Sequence, residues 1–211
     1  MKLDFNQSAE VQRIFPTPVY KTNINRQINV KENKTVDKYL KETIRNTNFN
    51  HSSKCSYVLK DKAFKDINKF IEFHINKFFY KVFNADPKNQ IYITQSWLNL
   101  TTKDQGHHSH EHPNSFISGV FYFSSEQDDS IKFSSPIKYN QIQPKIIKFN
   151  EDNSGSWYMP VVPGLLMMFP SRLEHSVITK KESNNRISLA FNTFIKGDLG
   201  DQIGLTRLVL K

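Results

Sequence analysis

Two hydrophobic patterns divide the chain near residue 90. Before it, apolar residues recur every three or four positions, which predicts amphipathic helices over 35–46 and 61–83. Asp61 is placed to cap the longer helix, and the polar segments 23–34 and 46–54 are predicted as loops. The stripe of the longer helix comprises Phe64, Ile67, Ile71, Ile75, Phe78 and Val82.

Beyond residue 90, short apolar runs alternate with Asn, Asp, Ser, Pro and Gly, which predicts strands. These strands are 91–100, 116–124, 131–133, 145–149, 157–162, 165–169, 174–179 and 186–195, after a shorter one at 55–59.

Eight short strands after two helices are typical of a jelly roll, so the predicted fold is mainly β with flanking helices (α+β). One domain spanning 1–211 is expected, with helical support at about 35–83 and a jelly-roll core at about 91–195. Prolines within 14–20 favour an edge strand or an arm leading into the fold. Pro163-Gly164 predicts a type II turn, and 128–153 a lid or rim. The tail, 196–211, carries no clear pattern.

Composition narrows the classes of protein. No apolar run approaches the ~20 residues that span a bilayer, so no membrane association is expected. The chain has a single cysteine and no apolar signal segment near its start, which favours the cytoplasm, or a host cytoplasm if the chain is phage-encoded. A net charge of +9 suits acidic partners or small anions, although scattered solvated lysines would give the same charge.

Four of the seven histidines fall within residues 107–112. In an extended strand His110 and His112 would share a face and could hold one metal ion, with His175 as the third ligand. A pair of His108 and His110 would share a face equally well, and Asp104 could fold back as a ligand. Glu111 would point to the opposite face. A polar loop that collects histidines and binds adventitious metal is the plain alternative.

An anion pocket is suggested by the segment RISLAFN, 186–192. There Arg186, Ser188 and Ala190 share one face, and an arginine beside small residues on an apolar strand needs an anion or a buried partner. A guanidinium matches a carboxylate bidentately, and Tyr122 could donate to the same anion. A surface arginine at a strand start and a core tyrosine are the alternatives.

The chain resembles the 2-oxoglutarate- and Fe(II)-dependent oxygenases, near their prolyl-hydroxylase-like branch and its members in marine bacteria and phages. The resemblance is carried by IFPTPVY (14–20), SWLNL (96–100), HEHPNSFISGVFYF (110–123), GLLMMFPSRLEHSV (164–177) and RISLAFN (186–192). It implies a double-stranded β-helix (cupin-like) fold, Fe(II), 2-oxoglutarate as cosubstrate and O2. It also implies these residue roles: His110 and His175 as metal ligands, Arg186 on the distal carboxylate of 2-oxoglutarate, Tyr122 assisting it, and Asn99 and Trp97 on the strand lining the pocket mouth, with Ser188 beside Arg186.

One position departs from the family pattern. Most members have Asp or Glu where this chain has His112, so a site of His110, His112 and His175 would be neutral and should bind Fe(II) less tightly. The implied reaction is hydroxylation of a C–H bond, with a protein proline as first expectation, coupled to decarboxylation of 2-oxoglutarate to succinate.

The alternative to that reaction is a cupin-like metal isomerase or binding module without oxygenase activity. A basic nucleic-acid-binding protein ranks third, because no compact stripe of Lys and Arg interleaved with aromatics is present, and nucleic acid is not expected as a direct ligand. The expected partner is therefore a protein or small-molecule substrate, with a homodimer left open.

Overall fold

The computed structural model describes residues 10–45, 49–137, 142, 144–181 and 183–211. Two antiparallel sheets face one another, and two helices accompany the larger sheet. This confirms the predicted mainly β fold with flanking helices. Within the described residues, neither helix has the length and hydropathy that crossing a membrane requires.

The first helix, α1 (Val30–Leu40), begins five residues earlier than predicted. Its start is fixed by polar residues: the Asn29 side chain accepts the Glu32 N–H at 2.9 Å, and the Glu32 carboxylate accepts the Asn29 N–H at 2.9 Å. Arg26 donates to the same carboxylate at 2.6 Å. The predicted loop over 23–34 was therefore wrong in its second half, because the prediction followed apolar spacing and ignored this capping box.

The second helix, α2 (Lys65–Lys81), buries most of its predicted stripe, although Val82 is 49% exposed. Asp61 caps the short 3-10 turn that leads into the helix, accepting the Ala63 N–H at 2.9 Å. Asn84, with φ of 51°, turns the chain away after the helix. The predicted strand at 55–59 was wrong, since Val58–Lys60 form a 3-10 turn.

The strands of the described chain form a larger sheet and a smaller one. The larger sheet has the order β1-β9-β6-β11-β4-β3-β2, with β12 paired to β11, and the smaller has the order β5-β10-β7-β8. Their bounds are β1 Tyr20–Asn23, β2 Thr43–Arg45, β3 His51–Ser53, β4 Gln90–Thr101, β5 His107–His110, β6 Ile117–Ser124, β7 Ser130–Ser134, β8 Ser156–Pro160, β9 Leu165–Pro170, β10 His175–Val177, β11 Arg186–Leu199 and β12 Leu208–Leu210.

Alternation along the central strands separates two cores. Leu189 and Phe191 of β11 point outward and pack with the buried face of α2. Tyr122 of β6 points between the sheets, where it packs with Ile131 and Phe133 of the smaller sheet. Arg186 and Ser188 alternate with the outward residues of β11, so they also belong to this inner face. The inner face is therefore where a site can form.

Three local predictions had different outcomes. The type II turn is confirmed, because Gly164 has φ of 79° and the Leu165 N–H donates to the Val162 carbonyl at 3.1 Å. The edge strand β1 is present on β9 but begins only at Tyr20. The strand over 145–149 was wrong: no strand of the described chain lies beside it, and Ile147 is 97% exposed. Within the predicted lid, 138–141 and 143 lie outside the described residues.

Gly119→Ala is expected to destabilise the fold by about 1–3 kcal/mol, the usual cost of overpacking a core. A Cβ at Gly119 would lie against the ring of the fully buried Phe191, closer than real Cβ contacts come, so the ring would have to shift. Gly155→Ala is the matched control, because a Cβ there meets nothing within 4 Å. Chemical denaturation of both variants measures the difference, and equal free energies of unfolding would contradict the packing described.

Candidate metal and cosubstrate site

Pairing within the smaller sheet brings distant histidines together. His175, the first residue of β10, lies opposite His110, the last residue of β5. His112 lies two residues beyond β5, and its N–H donates to the Ser171 carbonyl at 2.9 Å. The side-chain nitrogens of these three histidines all lie within 4.8 Å of one another. His110 and His112 are therefore neighbours, although His112 is not part of the strand that was expected to hold both.

Two backbone carbonyls determine which ring nitrogen His110 and His175 can offer to a metal ion. Nδ1 of His110 lies 2.8 Å from the His108 carbonyl, and Nδ1 of His175 lies 2.9 Å from the Leu173 carbonyl. A carbonyl only accepts, so both Nδ1 atoms carry the proton and both Nε2 atoms keep a lone pair. Such an outer hydrogen bond to a carbonyl is the usual way in which a metal-binding imidazole is oriented.

The cluster is held in its neutral form. Burial, followed by the positive charges of neighbouring histidines, lowers the pKa of His175 to about 3 and that of His112 to about 4. Burial also lowers the pKa of His110. The Nε2 atoms of His112 and His175 lie 3.3 Å apart. Two lone pairs at this distance would repel each other, so either His112 carries a proton that it donates to His175, or a cation lies between the two nitrogens. Neutral imidazoles converging in this way are a donor set that suits a first-row divalent ion.

Neither candidate carboxylate joins this cluster. Among the described residues, the groups of histidine, cysteine and acidic side chains able to hold an ion are His107, His108 and His110, and His110, His112 and His175. Glu111 is exposed. Asp104 is also exposed and has φ of 64°, and its N–H donates to the Lys180 carbonyl at 2.8 Å. Within the described part of the chain, no neighbouring carboxylate therefore takes the place of the one that His112 replaces.

Arg186 is buried at the start of β11, with 3% of its surface exposed. Its Nη1 donates to Asp129 Oδ1 at 2.6 Å, while its buried Nη2 has no hydrogen-bond partner among the residues that the structure describes. A buried guanidinium nitrogen without a partner is costly, and a carboxylate is the group that would satisfy it. The protein thus provides one end of the guanidinium fork with a partner and leaves the other end for an anion.

Asp129 fixes Arg186 in place and was not anticipated from the sequence. Its Oδ2 accepts the Glu126 N–H at 2.8 Å and lies 3.6 Å from Nζ of Lys180. Lys180 is itself fully buried, with 1% exposed. Asp129 thus bridges two buried cations and holds the guanidinium of Arg186 in place. A pair of acids before β7 was the available signal, but nothing in the sequence placed them beside residue 186.

The remaining predicted residues lie on the same inner face. Tyr122 pairs with Ser188 across β6 and β11, and Asn99 of β4 pairs with Ser188 from the other side. Burial raises the pKa of Tyr122, so its hydroxyl stays protonated and able to donate. Asn99 is partly engaged, because its carbonyl accepts Asn50 at 3.0 Å and Ser52 at 2.9 Å. The ring of Trp97, which shares this face, lies 6.1 Å from that of His112.

A network of small polar side chains adjoins the histidines and was also missed. Ser118 bonds to Ser171 at 2.8 Å and to Asn192 at 2.9 Å, and Ser171 bonds to Ser115 at 2.8 Å. Ser171 is the residue whose carbonyl holds His112. These bonds fix the segment that follows β9 and thereby the position of His112.

A family model matches the part of the chain that contains these residues. Residues 95–192, from within β4 to within β11, match the family described as "Putative 2OG-Fe(II) oxygenase". The matched range contains the three histidines and Arg186. No curated protein matches the chain.

Solved structures share the fold. A prolyl-4-hydroxylase from Pseudomonas putida aligns with a TM-score of 0.54 at 11% identity, covering 83% of this chain and 92% of the other. HygX from Streptomyces hygroscopicus, with nickel, 2-oxoglutarate and hygromycin B bound, aligns with a TM-score of 0.52 at 11% identity, covering 84% and 82%. A prolyl hydroxylase from Trichoplax adhaerens, in complex with a peptide fragment of hypoxia-inducible factor, aligns with a TM-score of 0.57 at 9% identity, covering 82% and 83%.

These structures confirm the fold class, and the family model adds the chemistry. Fe(II), 2-oxoglutarate and O2 are the cofactors of the family, and the histidine cluster and the buried arginine fit a metal and a dicarboxylate. Residues 95–192 are therefore similar to the 2-oxoglutarate- and Fe(II)-dependent oxygenases.

Proposed function

We propose that the protein hydroxylates a C–H bond of a protein residue, with proline as the first candidate, and that His110, His112 and His175 hold the Fe(II). Arg186 seats the distal carboxylate of 2-oxoglutarate, with Tyr122, Ser188 and Asn99 lining the same pocket. When bound, the iron and 2-oxoglutarate supply the oxidising power that breaks the C–H bond, with succinate as coproduct.

One observation carries this proposal: an unpartnered guanidinium nitrogen on the larger sheet and a cluster of neutral imidazoles on the smaller sheet both lie between the two sheets. Arg186 Nη2 is buried and without a partner, while Nε2 of His110 and of His175 keep their lone pairs. A metal-binding module alone would need the imidazoles but not the buried cation. The two features together suit a ligand that contacts metal at one end and carries a carboxylate at the other.

The residues around the cluster orient it and keep water away. The ring of Phe169 lies 4.5 Å from that of His175, and the ring of Phe133 lies 6.1 Å from it. Apolar walls of this kind would strengthen the electrostatic attraction between an ion held by the histidines and an anionic ligand, because the local dielectric is low. The protonated Tyr122 supplies a hydrogen-bond donor on the same face.

A groove beside this site favours a peptide substrate. Its volume is about 740 Å³, and it lies between residues 11–19 and the strands β7 and β8. Phe133 and Leu173 line it, and both also contact His175. Apolar Val19 and Trp157 line it together with Ser134 and Ser156, a mixture of apolar and polar side chains that suits an extended chain. The two prolyl hydroxylases of similar fold support proline as the residue modified.

The test is the release of succinate from 2-oxoglutarate by the purified protein with Fe(II), in the presence of proline-containing peptides. We expect succinate that depends on the peptide and a 16 Da increase in peptide mass, measured by mass spectrometry. If succinate is released with small molecules but not with peptides, the proposed protein substrate is wrong and the oxygenase activity stands. Binding of metal without any consumption of 2-oxoglutarate would overturn the oxygenase and favour the cupin-like module.

A further inference from the structure

A second histidine group lies directly outside the proposed triad. The side-chain nitrogens of His107, His108 and His110 also lie within 4.8 Å of one another. The rings of His107 and His110 are stacked at 4.3 Å, and that of His108 lies 5.2 Å from that of His110. His108 is exposed, His107, His110 and His112 are half-buried, and His175 is buried. The outer group therefore contains the most exposed of these histidines, and the inner group the most buried one.

His110 belongs to both groups but has one nitrogen to offer. Its Nδ1 is committed to the His108 carbonyl at 2.8 Å, which leaves Nε2. The same nitrogen cannot complete two separate three-histidine sites at once. The outer and inner groups are thus alternative ligand sets for a single ion, and His110 is common to both.

We propose that His107, His108 and His110 form an acceptor site for a divalent first-row metal ion, from which the ion passes to His112 and His175 while His110 stays bound. This inference rests on the proposed function, because the inner triad is its destination. The transfer exchanges two neutral imidazoles for two others, so no charge moves other than that of the ion. Sharing His110 lets a hydrated ion enter the buried site by stepwise replacement of ligands.

The equilibrium test uses Co²⁺, whose visible absorption reports its ligands, on wild type and on His112→Ala. Wild type should bind one equivalent. His112→Ala removes an inner ligand that is only half-buried, and it should still bind one equivalent on the outer group, at least about tenfold more weakly. Adding His108→Ala to His112→Ala should weaken binding by a further factor of at least about ten. His51→Ala added to His112→Ala is the control and should change nothing, because His51 lies outside both groups.

The outcomes separate this inference from the proposed function. If His108→Ala has no effect in the His112→Ala background, the acceptor site is overturned and the inner triad stands. If His112→Ala binds Co²⁺ as tightly as wild type, the inner triad is overturned. Binding of two equivalents by wild type would overturn the sharing of His110. Stopped-flow uptake of Co²⁺ tests the route itself: His108→Ala alone should keep the final affinity but load more slowly, and an unchanged rate would overturn the loading role.

Discussion

Replacing His110 by alanine is expected to abolish binding of Fe(II) while leaving the fold intact. His110 contributes to both histidine groups, so its loss leaves neither with three ligands. Loss of an outer partner of a metal ligand usually weakens binding by about 10- to 100-fold, and removal of the ligand itself should exceed that range. Isothermal titration with Fe(II) under anaerobic conditions measures the change, and wild-type affinity in this variant would remove the histidine site altogether.

Thermal unfolding separates loss of metal from loss of structure. His110 is only half-buried, and its one side-chain hydrogen bond is local, to the His108 carbonyl, so metal-free wild type and His110→Ala should unfold at similar temperatures. An ion that binds only the folded state stabilises it by about 2.7 kcal/mol at a concentration of 100 times Kd. Added Fe(II) should therefore raise the melting temperature of wild type and of His51→Ala, but not that of His110→Ala.

The strands that pack on both faces were predictable, because burial on both sides leaves a clear pattern of alternating side chains in the sequence. Along β11, Leu189 and Phe191 pack outward while Arg186 and Ser188 face the other sheet, as the alternation in RISLAFN indicates. The strand predicted at 145–149 has the right composition but no partner, since β8 pairs directly with β7. Composition indicates that a segment can form a strand, whereas only the fold decides whether a neighbour exists.

The histidine pair was anticipated for a reason that is only partly correct. The same-face argument requires His110 and His112 to lie in one strand, yet β5 ends at His110. What brings His112 inward is the Ser171 carbonyl, held in turn by serine side chains. Such long-range hydrogen bonds between small polar residues leave no periodic signal in a sequence.

In the anion pocket, the contact that Asp129 makes with Arg186 also left no signal in the sequence. The sequence indicated that Arg186 needs an anion or a buried partner, and the structure provides both a partner and a nitrogen left over. The pairing joins residues 57 positions apart through strands that are not neighbours in sequence. An acidic pair before a strand is ordinarily a solvated turn, so the residues alone gave no reason to select Asp129.

Replacing Arg186 by methionine is expected to raise KM for 2-oxoglutarate by about 10- to 100-fold, the range for losing a hydrogen bond to a charged group. Binding of Fe(II) should be unchanged, because Arg186 is not among the histidine groups. The matched control is Arg207→Met, which removes an exposed arginine bound to Asp198 at 2.9 Å and should change neither KM nor stability appreciably. Succinate release at varied 2-oxoglutarate gives KM, and equilibrium binding of 2-oxoglutarate to the protein loaded with Ni²⁺ gives an independent reading.

The stability of Arg186→Met must be measured beside its KM, because the residue is also half of a buried ion pair. Removing one partner of such a pair costs about 3–5 kcal/mol when the other charge is left alone. Asp129 keeps the Glu126 N–H at 2.8 Å and Lys180 at 3.6 Å, so we expect a loss below that range. The variant should therefore fold and remain testable. Asp129→Asn is the complementary change: it keeps the shape, frees Nη1 from its carboxylate and should also raise KM by letting the guanidinium turn.

Lys180 is the rival cation, and comparing the two cations decides which one binds the carboxylate. If Arg186 binds it, Arg186→Met and Asp129→Asn both raise KM, while Lys180→Met acts more weakly through Asp129. If Lys180 binds it, Lys180→Met has the largest effect and Arg186→Met mainly lowers the free energy of unfolding. The structure favours the first result, because a buried nitrogen without a hydrogen-bond partner belongs to Arg186. Arg186→Lys sharpens the comparison: it keeps the charge but loses the planar fork, so a KM as high as that of the methionine variant would show that fork geometry, beyond charge alone, holds the cosubstrate.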